Sequence, residues 1–250
     1  MPTVNISVKL PGWIHQPLRR IKRTFMPPQN GQPSINLLGD RDVEYSFVAA
    51  HLPSGPGEAL DFGCGPSNLS LLAGRRGFRV LALDLEPQTF LWGHEGVRFL
   101  QADLLETDLP GQSLDLVVNC SAVEHVGLVG RYGVSKDHSD GDLAVMERLL
   151  FLLRENGTML LTIPCGRDAV FAPTHRVYGE RRLPQLLRGY AIEKEEYWIK
   201  DAANRWNVCT RELALQFEPK PPVSNPIDSS YALACFVLRK PGSRSPITSK

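Results

Sequence analysis

The hydrophobic and polar positions of the chain follow two alternating periods, which predict an ordered series of strands and helices. Short apolar runs at 58–62, 79–84, 97–103, 113–120 and 158–164 are typical of strands buried on both faces of a parallel sheet. Between several of these runs, apolar residues recur every three or four positions, as they do on one face of a helix. The pattern predicts an α/β protein with a doubly wound sheet and helices on both faces.

Capping and breaking residues predict where the helices and the fifth strand end. A helix over 40–52 is expected to begin with Asp40 as its N-cap. A second helix at 68–76 precedes Gly77, which suits a left-handed C-cap. The helix that precedes the fifth strand is predicted to end at Gly157, and Pro164 is predicted to stop that strand.

The most informative stretch is the glycine turn within residues 58–68. Gly63 and Gly65 let the backbone bend sharply and approach a ligand without a Cβ in the way. A dinucleotide-binding fingerprint has a third glycine or alanine where this chain has Asn68, so the match to that fingerprint is poor. Asp61 would repel a pyrophosphate and attract the sulfonium or ammonium group of S-adenosylmethionine. The turn therefore favours a cationic ligand.

Two further strands also end in a carboxylate. Asp84 can accept hydrogen bonds from both hydroxyls of a ribose, and Asp103 can accept one from an adenine amino group. Because the carboxyl ends of parallel strands meet at one edge of a sheet, the three carboxylates are expected to line one crevice.

At these residues the chain resembles the class I S-adenosylmethionine-dependent methyltransferases, over roughly residues 35–240. The segments that carry the resemblance are 60–65, 83–84, 102–103 and 114–126. The resemblance implies a Rossmann-like sheet of seven strands, the seventh antiparallel, with S-adenosylmethionine as the cofactor. The cofactor-binding residues that it implies are Asp61, Gly63, Gly65, Asp84, Leu85, Asp103, Leu104, Asn119 and Arg41.

The chain is also similar to a less characterised bacterial branch of these enzymes, whose acceptor stays open. The loop after the fourth strand contains His125, and an imidazole with an ordinary pKa near 6.5 can accept a proton near neutral pH. His125 is therefore the candidate general base, with a structural role in the cofactor site as the alternative and His175 as the rival base. The side chains predicted to bind the acceptor are Arg131, Tyr132, Arg176, Tyr178, Trp206 and Asn207.

Composition and charge limit the partners. The 250 residues are 42% hydrophobic and 22% charged, which suits one globular domain. The net charge of +1 disfavours nucleic-acid binding. The five cysteines have no C-x-x-C spacing, and no apolar run reaches the ~20 residues needed to span a bilayer, so a cytoplasmic protein is expected. The acidic loop at 136–142 reads better as a helix cap than as a metal site, and no metal is predicted.

The expected organisation is a basic, proline-rich arm at 1–34, a methyltransferase domain at 35–240 and a disordered tail at 241–250. Within the domain, residues 201–230 are expected to form an insertion near the acceptor site. The expected activity is O-methylation of a small polar acceptor, such as a sugar or a glycosylated metabolite. The alternatives are N- or C-methylation of another small molecule, or a non-catalytic protein that binds the cofactor and acts through a partner. No sequence feature selects an oligomeric state.

Overall fold

The computed structural model describes residues 39–89, 93–221 and 230–242. These residues belong to one compact unit. The predicted arm at 1–34 lies outside the described residues, as do part of the predicted insertion and most of the predicted tail.

Strands and helices alternate along the first half of the described chain. The helices are α1 (Asp40–His51), α2 (Leu69–Arg75), α3 (Gly141–Leu152), α4 (Arg182–Leu186) and α5 (Arg211–Leu215), with one 3-10 turn at Val123–His125. The strands are β1 (Gly57–Phe62), β2 (Phe78–Asp84), β3 (Val97–Gln101), β4 (Leu114–Cys120), β5 (Leu153–Cys165), β6 (Ala169–Phe171), β7 (His175–Val177), β8 (Ala191–Lys200), β9 (Trp206–Cys209) and β10 (Ala232–Arg239).

Eight strands form the central sheet, in the order β3-β2-β1-β4-β5-β10-β8-β9. The strands β1 to β5 pair in parallel, whereas β10 is antiparallel to both β5 and β8. The predicted doubly wound sheet with an antiparallel seventh strand is therefore confirmed, and β10 is that strand. The order reverses between β1 and β4, which is where ligands bind in open α/β sheets.

The sheet has one more strand than the seven predicted. The additional strand, β9, pairs with β8 and forms an edge of the sheet. It belongs to the segment that was predicted to be an insertion. The turn before it is closed by Asp201, whose Oδ1 accepts hydrogen bonds from the backbone N–H groups of Ala203 (2.8 Å) and Arg205 (3.0 Å). This turn directs the chain back along β8.

Apolar layers cover both faces of the sheet. On one face, α1 and α2 pack through residues that include Phe47 and Leu69. On the other face, α3 packs through residues that include Leu149. The strands supply both layers, because successive side chains point to opposite faces: Leu116 faces α1 and α2, whereas Val117 faces α3.

The sequence misplaced the boundary between α3 and β5. The helix ends at Leu152 rather than at Gly157, and β5 continues through Pro164. The Pro164 carbonyl accepts a hydrogen bond from the Tyr178 N–H (3.1 Å), so this edge of Pro164 faces away from β10. Because the proline nitrogen faces the same way as its carbonyl, the residue removes no hydrogen bond from the β5–β10 ladder.

Two smaller predictions also differ from the structure. Asp40 is the first residue of α1 and not its N-cap, because the Gly39 N–H donates to the Asp42 carboxylate (3.1 Å). The segment 171–178, predicted as a loop, contains β7 and the last residue of β6, and these two strands pair as a hairpin. None of the helices in the described residues is long and apolar enough to cross a membrane.

Candidate active site

A cavity of about 840 Å³ opens at the carboxyl ends of β1, β2, β3 and β4. Its walls are the turns that follow these strands, one side of α1 and the loop at 127–138, which we call the roof loop. Nine of the predicted site residues line this cavity: Arg41, Asp61, Gly63, Gly65, Asp84, Leu85, Asp103, Leu104 and His125.

The two glycines of the first turn have different tasks. Both have positive φ angles, +64° at Gly63 and +47° at Gly65, which favour glycine. A Cβ on Gly63 would lie 2.4 Å from the Cβ of Ala122, in the turn after β4. A Cβ on Gly65 would meet no atom within 4 Å. Gly63 therefore allows two turns to pack closely, and Gly65 leaves space at the cavity wall.

The carboxylate of Asp84 is held by the backbone and keeps capacity to bind a ligand. Its Oδ2 accepts from the Gly65 N–H and its Oδ1 from the Glu86 N–H, both at 2.9 Å. Each carboxylate oxygen can accept a second hydrogen bond. Asp103 is held similarly, because its Oδ1 accepts from the Leu105 N–H (2.9 Å).

Asp61 is almost fully buried, with 2% of its surface exposed. Burial raises its pKa to about 6, although a hydrogen bond from the Ser70 hydroxyl (2.5 Å) opposes this rise. At neutral pH Asp61 therefore carries most of a negative charge in the cavity wall, and the same contact joins β1 to α2.

Two predicted site residues lie outside the cavity wall. Asn119 is fully buried, and its Oδ1 accepts a hydrogen bond from the Val123 N–H (3.3 Å). His175, in β7, is 7% exposed, and its ring packs edge-on against Tyr231 at 5.2 Å. Of the two candidate bases, His125 is the one placed at the cavity.

His125 presents one nitrogen for proton transfer. Its Nδ1 donates to the carbonyl of Thr174, and this hydrogen bond assigns the proton to Nδ1 and leaves a lone pair on Nε2. The ring packs against Tyr132, with the centroids 4.5 Å apart. Burial lowers the pKa of His125 to about 4, so the imidazole is neutral at physiological pH.

Glu124 is buried beside His125. Its Oε1 lies 3.7 Å from the His125 Nε2, and its Oε2 has no hydrogen-bond partner among the described residues. Burial raises the pKa of Glu124 to about 8. The carboxyl group therefore holds its proton at neutral pH, unlike an exposed glutamate.

Glu44 is a buried carboxylate behind the cavity wall whose role the sequence did not reveal. It is fully buried on α1 and accepts hydrogen bonds from the hydroxyls of Ser121 and Thr162 and from the guanidinium of Arg41 (2.7 Å). It links α1 to the end of β4. The available signal was its position on the apolar face of α1, which carries Val43, Phe47 and Val48.

The structure places most of the predicted acceptor-binding side chains elsewhere. Tyr178, Arg176 and Trp206 are buried at 0%, 1% and 3% exposure. Asn207 donates to Asp201 (3.2 Å) in the turn between β8 and β9. Among the six residues, Tyr132 is the one that lines the described cavity. The prediction was wrong for the three buried residues, because large aromatic and arginine side chains also complete cores.

Two family models match the chain. A model described as a methyltransferase domain matches residues 60–140, which include the turns after β1, β2, β3 and β4. This segment of the chain therefore matches a methyltransferase domain, in agreement with the resemblance found in the sequence. The match agrees with the predicted cofactor, S-adenosylmethionine. A second model, described as a Caenorhabditis protein of unknown function, DUF268, matches residues 106–214.

Solved structures share the fold of this chain. The 1,6-didemethyltoxoflavin-N1-methyltransferase of Burkholderia thailandensis is 18% identical, with 96% of this chain and 94% of that chain covered and a TM-score of 0.53. The N-methyltransferase NodS of Bradyrhizobium japonicum is 14% identical, with coverages of 86% and 94% and a TM-score of 0.52. The geranyl diphosphate C-methyltransferase of Streptomyces coelicolor is 13% identical, with coverages of 80% and 79% and a TM-score of 0.53. No curated protein matches the sequence.

The raised pKa of Glu124 makes stability depend on pH. The folded chain keeps this proton up to about pH 8, whereas the unfolded chain loses it near the ordinary value of 4.5, so the contribution to stability is lost as pH rises toward 8. Between about pH 6.5 and 7.5, the free energy of unfolding of the wild type is expected to fall by about 1 kcal/mol relative to Glu124→Gln. Urea unfolding at each pH measures this difference.

The matched control is Glu147→Gln, which changes an exposed glutamate on α3. Its difference from the wild type should stay constant over the same pH range. A constant difference for Glu124→Gln as well would show that Glu124 is ionised in the folded chain.

Proposed function

We propose that the chain transfers the methyl group of S-adenosylmethionine to a hydroxyl group of a small polar acceptor, such as a sugar or a glycosylated metabolite. The observation that carries this proposal is the neutral imidazole of His125 at the cavity, with its Nε2 lone pair unprotonated. A hydroxyl must lose its proton as it is methylated, and the unprotonated Nε2 of His125 can accept it. The lowered pKa makes this imidazole a weaker base than the ordinary value near 6.5 would have made it.

The predicted cofactor residues can be assigned to successive parts of S-adenosylmethionine along the cavity. We assign the ribose hydroxyls to Asp84 and the adenine amino group to Asp103, with Leu85 and Leu104 beside the base. Because Gly63 and Gly65 have no Cβ, the methionyl part of the cofactor can lie close to the backbone of this turn. Arg41, with 54% of its side chain exposed, would pair with the methionyl carboxylate. The carboxylate of Asp61 would attract the positively charged sulfonium or ammonium group of the cofactor.

In the proposed reaction, the acceptor oxygen attacks the methyl carbon in line with the sulfur. The new C–O bond forms as the S–C bond breaks, the sulfur keeps the bonding electrons, and the hydroxyl proton moves to the Nε2 of His125. The products are the methyl ether, S-adenosylhomocysteine and a protonated imidazole that returns its proton to water. Correct placement of the two reactants supplies much of the rate.

Size and charge favour a small acceptor. The cavity is within the range of small-molecule sites, and it must hold both the cofactor and the acceptor. The net charge of +1 supplies little of the electrostatic attraction on which nucleic-acid binding depends. We therefore propose a small-molecule partner, no nucleic acid and a cytoplasmic location.

A second candidate is methyl transfer to nitrogen or carbon. The solved structures with this fold include enzymes named as N- and C-methyltransferases. A neutral amine can attack the methyl group before it loses a proton, so this reaction would depend less on His125.

The cofactor assignment predicts a binding defect in Asp84→Ala. Loss of a charged acceptor for two ribose hydroxyls should weaken S-adenosylhomocysteine by roughly 2 to 3 kcal/mol, or about 30- to 150-fold. Isothermal titration calorimetry measures the affinity. Asp108→Ala, which changes an exposed carboxylate outside the cavity wall, is the control and should bind as the wild type does. Equal affinities in all three proteins would remove Asp84 from the ribose site.

The base assignment predicts a defect in chemistry but not in binding. His125→Ala should keep the affinity for S-adenosylhomocysteine within about threefold and lower turnover by about 10² or more. His51→Ala, at the far end of α1, is the matched control. Turnover within a few-fold of the wild type would favour transfer to nitrogen or carbon, and a parallel loss of binding would make His125 a structural residue of the cofactor site.

The acceptor class is tested with methyl-labelled S-adenosylmethionine and separate pools of small metabolites, nucleic acids and proteins. Label is expected in the small-molecule pool, in a product stable to mild base, as an ether is. Label confined to a macromolecular pool would contradict the proposal. Binding of the cofactor without transfer to any pool would favour the non-catalytic alternative.

A further inference from the structure

We propose that Arg176 is a positioning residue for His125: its guanidinium holds the backbone on both sides of His125 and thereby sets where the imidazole meets the cavity. The inference rests on the proposed role of His125 as the base. It gives Arg176, which the sequence suggested for acceptor binding, a different task.

The guanidinium binds the two carbonyls that flank His125. Its Nη1 donates to the carbonyl of Val126 at 2.6 Å and to that of Glu124 at 3.4 Å. Nη2 donates to the carbonyls of His138 (3.2 Å) and Ser139 (3.1 Å) at the other end of the roof loop. One side chain therefore joins the start and the end of the roof loop, and the start is the turn that carries His125.

Arg176 is buried, and its contacts there require the guanidinium group of an arginine. The residue is 1% exposed, and its Nε lies 3.6 Å from the Asp142 carboxylate, a buried counter-charge. Removing a guanidinium from water is costly unless its donors are satisfied, and an apolar residue could fill the same space without that cost. An apolar residue could not hold four carbonyls, nor could lysine, which has one nitrogen in place of the planar fork of arginine.

The same hairpin also orients the ring of His125. Thr174, two residues before Arg176, offers the carbonyl that accepts from the His125 Nδ1. The β6–β7 hairpin thus fixes the backbone of His125 through Arg176 and its imidazole through Thr174. A shift of about 1 Å in a catalytic group can lower a rate by about 10²-fold, so a base on a turn needs such support.

Arg182 offers a matched control. It also binds Asp142, with Nε at 2.9 Å from Oδ2, and the carbonyl of Ser139 at 2.9 Å. It has no hydrogen bond to the carbonyls of Glu124 and Val126. A substitution at Arg182 therefore disturbs the same ion-pair cluster and the same end of the roof loop, but not the turn of His125.

The experiment compares Arg176→Lys with Arg182→Lys in the full chain labelled with ¹³C and ¹⁵N histidine. His125 is assigned by the signal that His125→Asn removes. In the wild type, burial should keep His125 neutral down to about pH 5. In Arg176→Lys, the loosened turn should expose the ring and raise the midpoint of its titration by at least about one pH unit toward 6.5. In Arg182→Lys, the midpoint should stay within a few tenths of a unit.

The other charged and titratable groups near the ring are Glu124, His175, Arg131 and Arg41, and both substitutions leave them in place. S-adenosylhomocysteine should bind both variants within about threefold of the wild type. If the wild type shows turnover, Arg176→Lys should lower kcat by at least about tenfold and Arg182→Lys by less than about threefold.

The titration needs no acceptor, so it tests the positioning role even if the wild type proves to have no methyl-transfer activity. An unchanged His125 midpoint in Arg176→Lys, or an equal shift in both variants, would overturn the proposal. If Arg176→Lys does not fold, Arg176→Gln replaces it. Failure of both variants to fold would make Arg176 a residue of the fold and would also overturn the proposal.

Discussion

The close approach of two turns at the middle of the sheet is the constraint on which the site depends. Gly63 and Ala122 lie so near each other that no side chain fits at position 63, because β1 and β4 are neighbours and both chains leave the sheet at the same edge. This contact fixes the turn after β1 against the turn after β4. The first turn borders the side of the cavity that we assign to the cofactor and call the cofactor half. The second turn carries His125 on the other side, so the two halves are built as one unit.

The two halves of the cavity are held in place by different kinds of hydrogen bond. In the cofactor half, backbone N–H groups hold carboxylates such as Asp84 and Asp103 in open turns, and these side chains keep lone pairs for a ligand. In the other half, buried charged groups hold the segments around β4: Glu44 accepts from the hydroxyl of Ser121, just after β4, and Arg176 donates to backbone carbonyls of the turn that follows. Buried groups of this kind tolerate little change, because each lost partner leaves a polar atom without a hydrogen bond.

The sequence predicted the cofactor half of the cavity better than the other half. The signals at Asp61, Gly63, Asp84 and Asp103 are local: each residue lies at or just after the carboxyl end of its own strand, so the pattern of parallel strands brings them to one edge. The fold class followed from the same periodicity. The additional strand β9 did not, because its pairing depends on a turn at Asp201 whose hydrogen bonds leave no periodic pattern.

The other half of the cavity, which we assign to the acceptor, depends on contacts between distant segments. Arg176 reaches the turn of His125 across about fifty positions of sequence, and Glu44 reaches Thr162 across more than a hundred. A single sequence cannot distinguish an arginine that binds a ligand from one that binds buried carbonyls, because the residue type is the same. Pro164 is a similar case, since its effect depended on which edge of β5 faces β10.

The position of β10 has a consequence for how the protein is made. This strand comes after β8 and β9 in the chain, yet it lies between β5 and β8 in the sheet. While a ribosome is still synthesising the segment before residue 232, the parallel half-sheet ends in an open edge at β5, and the hairpin of β8 and β9 has no sheet to join. Open strand edges promote association with other chains. The nascent chain therefore depends on β10, its last described strand, to cover the open edges of β5 and β8 together. Until β10 emerges from the ribosome, chaperones that cover these edges would protect the chain from association.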